Sequence, residues 1–319
     1  MSRRTSDVPS PLISRYSLPE SQVTILAVRP HPDDECTGTG GILAYYAGRG
    51  VPVGVLTCTL GEEGEILDPD LDPEEARPRL GQIREGELRA ACRVLGVAEP
   101  RLLGYRDSGM EGAEANQRPE AFCNAPLDEA GGRVAAVIRE LRPRVVITEN
   151  RFGTYGHPDH VMCHKVAVRG VELAADSAFR GDGLGAWQVD RLFSNELVIA
   201  GGDRIANMLR AEQLDMGWFD HAGEDLAQFA MNPAEADASV DVGEYVHLMR
   251  DALAQHRTQI PPGSFLLSWP PHIMREVFRT AYFRQLWPER PKGKGQGAKL
   301  TDLLEGLQTL PFALQTLPL

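Results

Sequence analysis

The chain has 319 residues, 42% of them hydrophobic and 24% charged, a balance typical of a globular protein with one large α/β domain. Its formal net charge of −12 argues against nucleic-acid binding, which usually needs a basic patch, and against binding to an anionic membrane surface. No apolar run approaches the roughly 18 residues of a membrane-spanning helix, and no signal-peptide stretch follows Arg3 and Arg4. The five cysteines are odd in number and form no Cys-x-x-Cys pair, so we expect reduced thiols and a cytoplasmic location.

The first half of the chain alternates short apolar runs with helical patterns. Residues 1–22 are rich in Ser, Pro and Arg and are predicted to be a flexible arm. Apolar strands in a β-loop-α-β order indicate a Rossmann-like, mostly parallel sheet with helices on both faces. Strands are predicted at 23–28, 51–58, 101–104 and 145–148, loops at 61–79 and 105–130, and helices at 42–47, 82–95, 134–141 and from about 158.

The pattern becomes less regular after about residue 190. One or two strands are predicted at 191–200, and an amphipathic helix at 242–257. A Pro/Gly/Lys linker at 288–299 precedes a leucine-rich tail at 300–319, which we expect to pack on the body or on another subunit of a homo-oligomer. The predicted division is an arm at 1–22, one α/β domain at 23–287, and a linker with a C-terminal tail at 288–319.

The first polar cluster, His31-Pro32-Asp33-Asp34-Glu35, directly follows a predicted strand. Ligands of open parallel sheets bind at the carboxyl ends of strands. A turn there can aim His31 and Asp34 at one cation, which would also relieve the repulsion between the adjacent carboxylates. A solvent-exposed turn explains the same residues about equally well. The neighbouring glycines at 38–41 lack the spacing of a phosphate-binding loop, so nucleotide binding ranks below metal binding.

The second cluster, Tyr155-Gly156-His157-Pro158-Asp159-His160, follows the predicted strand at 145–148. Its His-Pro-Asp repeats the order of the first cluster. Together the two clusters offer His31, Asp34 and His160 as two histidines and one carboxylate, a set that suits catalytic Zn²⁺ and also Fe²⁺. His164 lies one helical turn beyond His160 and is an alternative ligand by spacing alone.

With these clusters in place, the sequence resembles the PIG-L/LmbE-like family of zinc-dependent N-acetylglucosaminyl deacetylases. The resemblance is strongest to the branch that includes mycothiol- and bacillithiol-pathway deacetylases and the S-conjugate amidase. The combination of motifs is far more specific than any one of them. It comprises His-Pro-Asp-Asp-Glu at 31–35, Thr-Cys-Thr-Leu-Gly-Glu-Glu-Gly-Glu at 57–65, Arg-Glu-Gly-Glu-Leu at 84–88, Arg-Asp-Ser-Gly-Met at 106–110, Gly-His-Pro-Asp-His at 156–160 and His-Arg-Thr-Gln at 256–259.

The resemblance implies a Rossmann-like fold with its active site at the strand ends. By position, it implies that His31, Asp34 and His160 hold the metal and that Asp33 is the general base. It selects His160 over His164 as the second histidine ligand.

The resemblance also implies roles for residues around the reacting amide. His157 would stabilise or protonate the reacting centre, Asp159 would orient and charge His157, and Tyr155 would hold the carbonyl oxygen. Arg84 and Asp107 would contact the sugar or its aglycone. The matching segment that contains His256 carries no assigned role.

The implied function is deacetylation of a small molecule containing N-acetylglucosamine, of the GlcNAc-inositol or GlcNAc-malate type, without a nucleic-acid or membrane partner. Three alternatives remain: an amidase of thiol S-conjugates, a non-catalytic sugar- or nucleotide-binding module, and a ferrous oxygenase. At position 38 the amidase carries lysine and the mycothiol-pathway deacetylase carries serine, whereas this chain has Gly38. The glycine weakens the amidase interpretation and leaves the choice of aglycone open.

Overall fold

A computed structural model describes residues 23–180, 183–198, 202–216, 228–290 and 298–307. Within these residues seven strands form one sheet in the order β3-β2-β1-β4-β5-β7-β6. The first five strands of that order are parallel, whereas β7 runs antiparallel to both β5 and β6. The strands are β1 (Ile25–Arg29), β2 (Val53–Thr59), β3 (Arg101–Tyr105), β4 (Val145–Thr148), β5 (Arg191–Asn195), β6 (Ala238–Asp241) and β7 (Thr280–Trp287).

Helices cover both faces of the sheet and connect its strands. In the described part of the chain, no helix is both long and apolar enough to cross a membrane. The helices are α1 (Asp34–Thr37), α2 (Gly40–Ala47), α3 (Pro73–Ala76), α4 (Leu80–Leu95), α5 (Leu127–Leu141), α6 (Gly153–Gly156), α7 (Pro158–Ala175), α8 (Gly202–Ala211), α9 (Val246–Leu253), α10 (Phe265–Ser268) and α11 (Pro271–Phe278).

The central strand β1 is buried on both faces because its side chains alternate between two cores. Ile25 and Ala27 pack in one core with residues of α2, α4 and α9, and Leu26 and Val28 pack in the other with residues of α5 and α7. Successive side chains of a strand point to opposite faces, so a strand buried on both sides is apolar throughout. This arrangement confirms the predicted Rossmann-like, mostly parallel α/β fold.

Helix α5 begins at Leu127, seven residues before the predicted start at 134. Glycine is a poor helix former, so Gly131 and Gly132 argued against helix at this point. Packing explains why the helix forms there. A side-chain carbon at Gly131 would overlap Arg169 of α7, and one at Gly170 would overlap Val134 of α5, so the glycines allow these two helices to approach closely.

The antiparallel strands β6 and β7 were not predicted, and the expected helix at 242–257 is the shorter α9. Strand β7 is mostly half-buried, so its sequence lacks the continuous apolar run that identifies β1 and β4. The predicted loop at 61–79 includes the short helix α3, in which Asp72 accepts hydrogen bonds from the N–H groups of Glu74 and Glu75.

Part of the C-terminal tail packs on the body of the domain. Leu303 is fully buried in the core that contains α2, and its backbone N–H donates to the hydroxyl of Tyr46 over 2.7 Å. The Tyr46 hydroxyl in turn donates to Asp302 over 2.6 Å. The predicted arm at 1–22, residues 199–200 of the strand expected at 191–200, residues 291–297 of the linker and tail residues 308–319 lie outside the described residues.

The burial of Leu303 predicts that the tail contributes to the stability of the domain. Leu303→Ala should lower the free energy of unfolding by about 2–5 kcal/mol because it leaves a cavity in the core. Urea denaturation followed by circular dichroism measures this change. Leu127→Ala is the matched control: Leu127 is 42% exposed, and a change of within about 0.5 kcal/mol is expected. Equal effects of the two substitutions would contradict the docking of the tail.

Candidate metal centre

The carboxyl ends of β1 and β4 lie side by side at the centre of the sheet. The segment after β1 carries the first cluster and enters α1 at Asp34, while the segment after β4 carries the second cluster and enters α7 at Pro158. The two predicted clusters therefore meet at one edge of the sheet. Apart from Asp33 and Tyr155, all the predicted site residues are buried.

Three donors converge on one point in this region. The Oδ2 atom of Asp34 lies 3.2 Å from Nδ1 of His31 and 3.4 Å from Nε2 of His160. Donors held about 2.1 Å from a tetrahedral ion are about 3.4 Å apart, so this spacing fits one metal ion. The backbone N–H of His31 also donates to Asp34 Oδ2 over 3.1 Å, which fixes that carboxylate.

The ring nitrogens of His160 provide a second indication that the group can hold a metal. Both are buried, and neither has a hydrogen-bond partner. Buried polar atoms in proteins are almost always satisfied, so an unpartnered imidazole needs a ligand to account for it. The spacing of the donors and the unpartnered ring together make His31, Asp34 and His160 a group that can hold a metal ion.

The other ring nitrogen of His31 faces two carboxylates. Its Nε2 lies 3.2 Å from Oδ2 of Asp159 and 3.6 Å from Oδ1 of Asp107. Burial by itself lowers the pKa of His31, but the neighbouring carboxylates of Asp107, Asp159 and Asp34 outweigh it and hold the pKa well above its usual value. Asp159 is held by the backbone N–H of Ser108 at 3.0 Å and by the Ser108 hydroxyl. These contacts direct Nδ1 of His31 towards Asp34.

Asp159, which the family resemblance assigns to His157, contacts that residue through its backbone rather than through its carboxylate. Its carboxylate contacts His31 and Ser108, whereas its backbone N–H donates to Nδ1 of His157 over 3.1 Å. The reason is local: His157 is the N-cap of α7, and the ring of an N-cap residue accepts from the first turn of its helix. The ring of His157 lies edge-on to that of His31, with 4.7 Å between centroids.

The backbone hydrogen bond fixes the tautomer of His157. Because Nδ1 accepts a hydrogen bond, the proton of the neutral ring is on Nε2. Burial, followed by the neighbouring His31 and His160, lowers the pKa of His157 to about 4. Tyr155 is 42% exposed, and its ring centroid lies 6.1 Å from that of His157 and 5.1 Å from that of His160. A neutral imidazole donor and a phenol therefore stand beside His31, Asp34 and His160.

Asp33 has a left-handed backbone conformation, with φ at 109°. Oε2 of Glu35 accepts the Asp33 N–H over 2.9 Å, and Nη2 of Arg84 donates to the Asp33 carboxylate over 3.0 Å. Burial raises the pKa of Asp33 to about 6, against the lowering effect of Arg84 and with a further rise from Asp34. A carboxyl with a pKa near 6 can accept and return a proton near neutral pH.

The two residues expected to contact the substrate both face inward. Arg84 is 3% exposed and donates to the backbone oxygens of Pro32 and Gly61 as well as to Asp33. Asp107 is 4% exposed and accepts the backbone N–H groups of Glu63 and Gly109. Their contacts hold the turn that carries Asp33 and the loop that lies beside His31.

Several neighbours of the site were not assigned from the sequence. His256 was part of a motif without a role; its Nε2 lies 2.6 Å from Oε1 of Glu35, and both side chains are fully buried. Arg29, at the end of β1, pairs with Glu149, which follows β4. The only sequence signal for that pair was a charged residue at the end of each of two buried strands.

The structure also places the two remaining residues considered from the sequence. Nδ1 of His164 lies 2.8 Å from the backbone carbonyl oxygen of Glu149, so His164 does not point to the group of His31, Asp34 and His160. A side-chain carbon at Gly38 would overlap the guanidinium of Arg29. The space that serine or lysine would need at position 38 is therefore taken by Arg29.

Comparison with known proteins gives matches over most of the chain. Residues 26–171 match the PIG-L family, described as GlcNAc-PI de-N-acetylase. The chain is 41% identical over 293 residues to the 1D-myo-inositol 2-acetamido-2-deoxy-alpha-D-glucopyranoside deacetylase of Geodermatophilus obscurus, with 89% of this chain and 97% of the relative covered. It is 38% identical over 316 residues to deacetylase 1 of the same description from Catenulispora acidiphila, with 96% of each chain covered.

Two solved structures share the fold at lower sequence identity. The N,N'-diacetylchitobiose deacetylase of Pyrococcus horikoshii aligns with a TM-score of 0.55 at 21% identity, over 82% of this chain and 83% of that one. The 4-carboxy-2-hydroxymuconate hydratase GalB of Pseudomonas putida aligns with a TM-score of 0.54 at 17% identity, over 86% of this chain and all of that one. Because one is a deacetylase and the other a hydratase, the fold alone does not decide the reaction.

Proposed function

The chain belongs to the PIG-L family, and from this premise we propose that it is a metal-dependent hydrolase that deacetylates a GlcNAc-inositol-type small molecule. The proposed substrate is the one in the names of the relatives described above, 1D-myo-inositol 2-acetamido-2-deoxy-alpha-D-glucopyranoside. One observation carries the proposal: Asp34 lies between His31 and His160 at metal-ligand spacing, with the proton acceptor Asp33 next to it in the chain.

We assign His31, Asp34 and His160 as the metal ligands and Zn²⁺ as the ion. Three protein ligands from two histidines and a carboxylate suit a catalytic zinc site, although Fe²⁺ accepts the same set. When bound, the ion would supply a Lewis acid for the amide carbonyl and a water molecule with a pKa lowered to about 7. Asp159 keeps His31 turned so that Nδ1 faces Asp34.

Asp33 is proposed as the general base. Its carboxylate takes the proton of the attacking water, and its pKa of about 6 matches that task. Arg84 and Glu35 hold Asp33 in place through its carboxylate and its backbone N–H. In this reaction Arg84 acts on the base, rather than on the sugar as the family resemblance implied.

His157 and Tyr155 are proposed to stabilise the oxyanion that forms on the acetyl carbonyl. His157 carries its proton on Nε2, so it can donate a hydrogen bond while it remains neutral. The Tyr155 hydroxyl is the second donor of this kind. Because its pKa is low, His157 is neutral and acts as a hydrogen-bond donor, not as the source of the proton that the leaving amine needs. We therefore propose that Asp33 returns this proton to the amine.

The nearest alternative is an amidase that acts on thiol S-conjugates. The names of the relatives favour deacetylation. A non-catalytic sugar-binding module has no use for a base held beside a metal site. A ferrous oxygenase would need oxygen and a co-substrate, whereas the proposed hydrolysis needs neither.

The proposed function is tested under anaerobic conditions by acetate release from GlcNAc-inositol and GlcNAc-malate and by release of the S-substituted cysteine from a cysteinyl-glucosamine S-conjugate, with the metal content measured on the same sample. We expect acetate from GlcNAc-inositol and about one metal ion per chain. If only the S-conjugate is cleaved, the enzyme is an amidase rather than a deacetylase. Sugar binding without acetate release, or activity that depends on oxygen, would refute hydrolysis.

We also propose that the enzyme works in the cytoplasm on a small molecule, without a nucleic-acid or membrane partner. All five cysteines are free thiols, and four of them are buried, which supports a reducing compartment. A homo-oligomer through the C-terminal tail remains a prediction.

A further inference from the structure

A buried ion pair lies directly beneath the metal-binding residues. Arg29 ends β1, Glu149 follows β4, and their side chains are 1% and 0% exposed. The two groups contact each other, and Nη1 of Arg29 also donates to Oδ1 of Asn195 over 2.5 Å. A carboxylate buried this deeply is expensive unless a positive charge compensates it, so Arg29 is what allows Glu149 to remain charged there.

Glu149 faces the ring nitrogen of His160 that points away from the metal site. Its Oε2 lies 3.6 Å from Nδ1 of His160, while Nε2 of the same ring lies 3.4 Å from Asp34. In its present position Oε2 accepts a hydrogen bond from the Thr154 hydroxyl over 2.6 Å. A ring shift of under about 1 Å would bring Nδ1 within hydrogen-bond distance of Oε2.

We propose that Glu149, held by Arg29, is a positioning residue for His160. The Nδ1 proton of His160 is donated to Glu149, which leaves Nε2 as the nitrogen that binds the metal. Histidine ligands of metals usually donate their second N–H to a carboxylate or carbonyl, which fixes the tautomer and raises the basicity of the ring. The inference rests on the proposed metal site, but it does not depend on the identity of the substrate.

The pair therefore performs for His160 what Asp159 performs for His31. Each histidine has one nitrogen directed at Asp34 and the other at a fully buried carboxylate. The two carboxylates differ in the group that stabilises their buried negative charge. Asp159 is held by Ser108, whereas Glu149 is held by the cation Arg29. Removing Glu149 should therefore weaken metal binding and leave Arg29 without its partner.

The first test compares Co²⁺ binding to metal-free preparations of the wild type, Glu149→Gln and Glu196→Gln. We expect Glu149→Gln to raise the Kd for Co²⁺ by about 10- to 100-fold and to change its visible absorption bands. Glu196 is the matched control, because it is a carboxylate after β5 with a side chain only 9% exposed, and it contacts Ser194 instead of His160. Glu196→Gln should retain the wild-type Kd and spectrum.

Glu149→Gln leaves the charge of Arg29 uncompensated, so its folding must be separated from its metal binding. The double variant Arg29→Gln/Glu149→Gln removes both charges, and it should show the same loss of Co²⁺ affinity. A folded single or double variant with the wild-type Kd and spectrum would overturn the proposal. An equal loss in Glu196→Gln would also overturn it, because the effect would then be one of total charge.

A second measurement needs no variant at Glu149. In ¹⁵N-histidine-labelled, Zn²⁺-loaded wild-type protein, we expect the His160 ring to show a protonated Nδ1 and a metal-bound Nε2. A metal-bound Nδ1 would refute the role of Glu149 even if the deacetylase activity is intact. A wild-type protein that binds neither Co²⁺ nor Zn²⁺ would overturn the proposed function together with this inference.

Discussion

Asp33→Asn is expected to lower kcat by about 10²- to 10⁴-fold while the protein keeps its metal. The amide has almost the same shape as the carboxylate, but it cannot take a proton from water. Asparagine also tolerates the left-handed backbone that Asp33 adopts, with φ at 109°, so the turn should be preserved. The Kd for Zn²⁺ should change little, because the ligands are assigned to the neighbouring positions.

The measurements are acetate release at saturating substrate, metal content and circular dichroism on one preparation. Asp70→Asn is the matched control, since Asp70 is an exposed aspartate paired with Arg257 outside the site. It should retain the wild-type kcat. If Asp33→Asn keeps most of its turnover, the base must be another group.

His160→Gln is expected to abolish stoichiometric metal binding and therefore turnover. Loss of one of three protein ligands leaves His31 and Asp34, which cannot complete a catalytic zinc site. In the wild type, Zn²⁺ at 100 times its Kd should stabilise the fold by about 2.7 kcal/mol, and this stabilisation should disappear in the variant. Thermal unfolding with and without Zn²⁺ measures the effect independently of activity.

His164→Gln provides the comparison for that experiment. His164 lies one turn further along α7, and its Nδ1 is close to the backbone oxygen of Glu149. The variant should bind one metal ion and keep its thermal shift. If His164→Gln loses the metal and His160→Gln keeps it, the ligand is His164 and not His160.

The parallel half of the fold could be predicted because each strand in it is recognisable on its own. The strands β1 and β4 are continuous apolar runs followed by polar clusters, and burial on both faces requires that pattern. The pair β6 and β7 could not be predicted in the same way. Half-buried strands on the outer part of the sheet resemble loops in a single sequence, and they become strands because β5 offers a pairing edge.

The candidate site shows a similar division. The meeting of the two clusters could be inferred, because both follow parallel strands and such strands end at one edge of the sheet. The direction of each side chain could not be inferred. The N-cap position of His157 turns the Asp159 carboxylate towards His31, and Arg84 folds inward onto Asp33. These contacts depend on side-chain rotamers and loop paths that spacing along the chain does not determine.

The adjacency of β1 and β4 has a consequence for how the protein matures in the cell. The residues assigned to the metal come from segments far apart in the chain, and they meet only when the later strand pairs with the earlier one. Contacts of such long range form slowly, after the intervening chain has been made. A polypeptide still on the ribosome therefore lacks a metal site until His160 has emerged, and the ion cannot be inserted before that point.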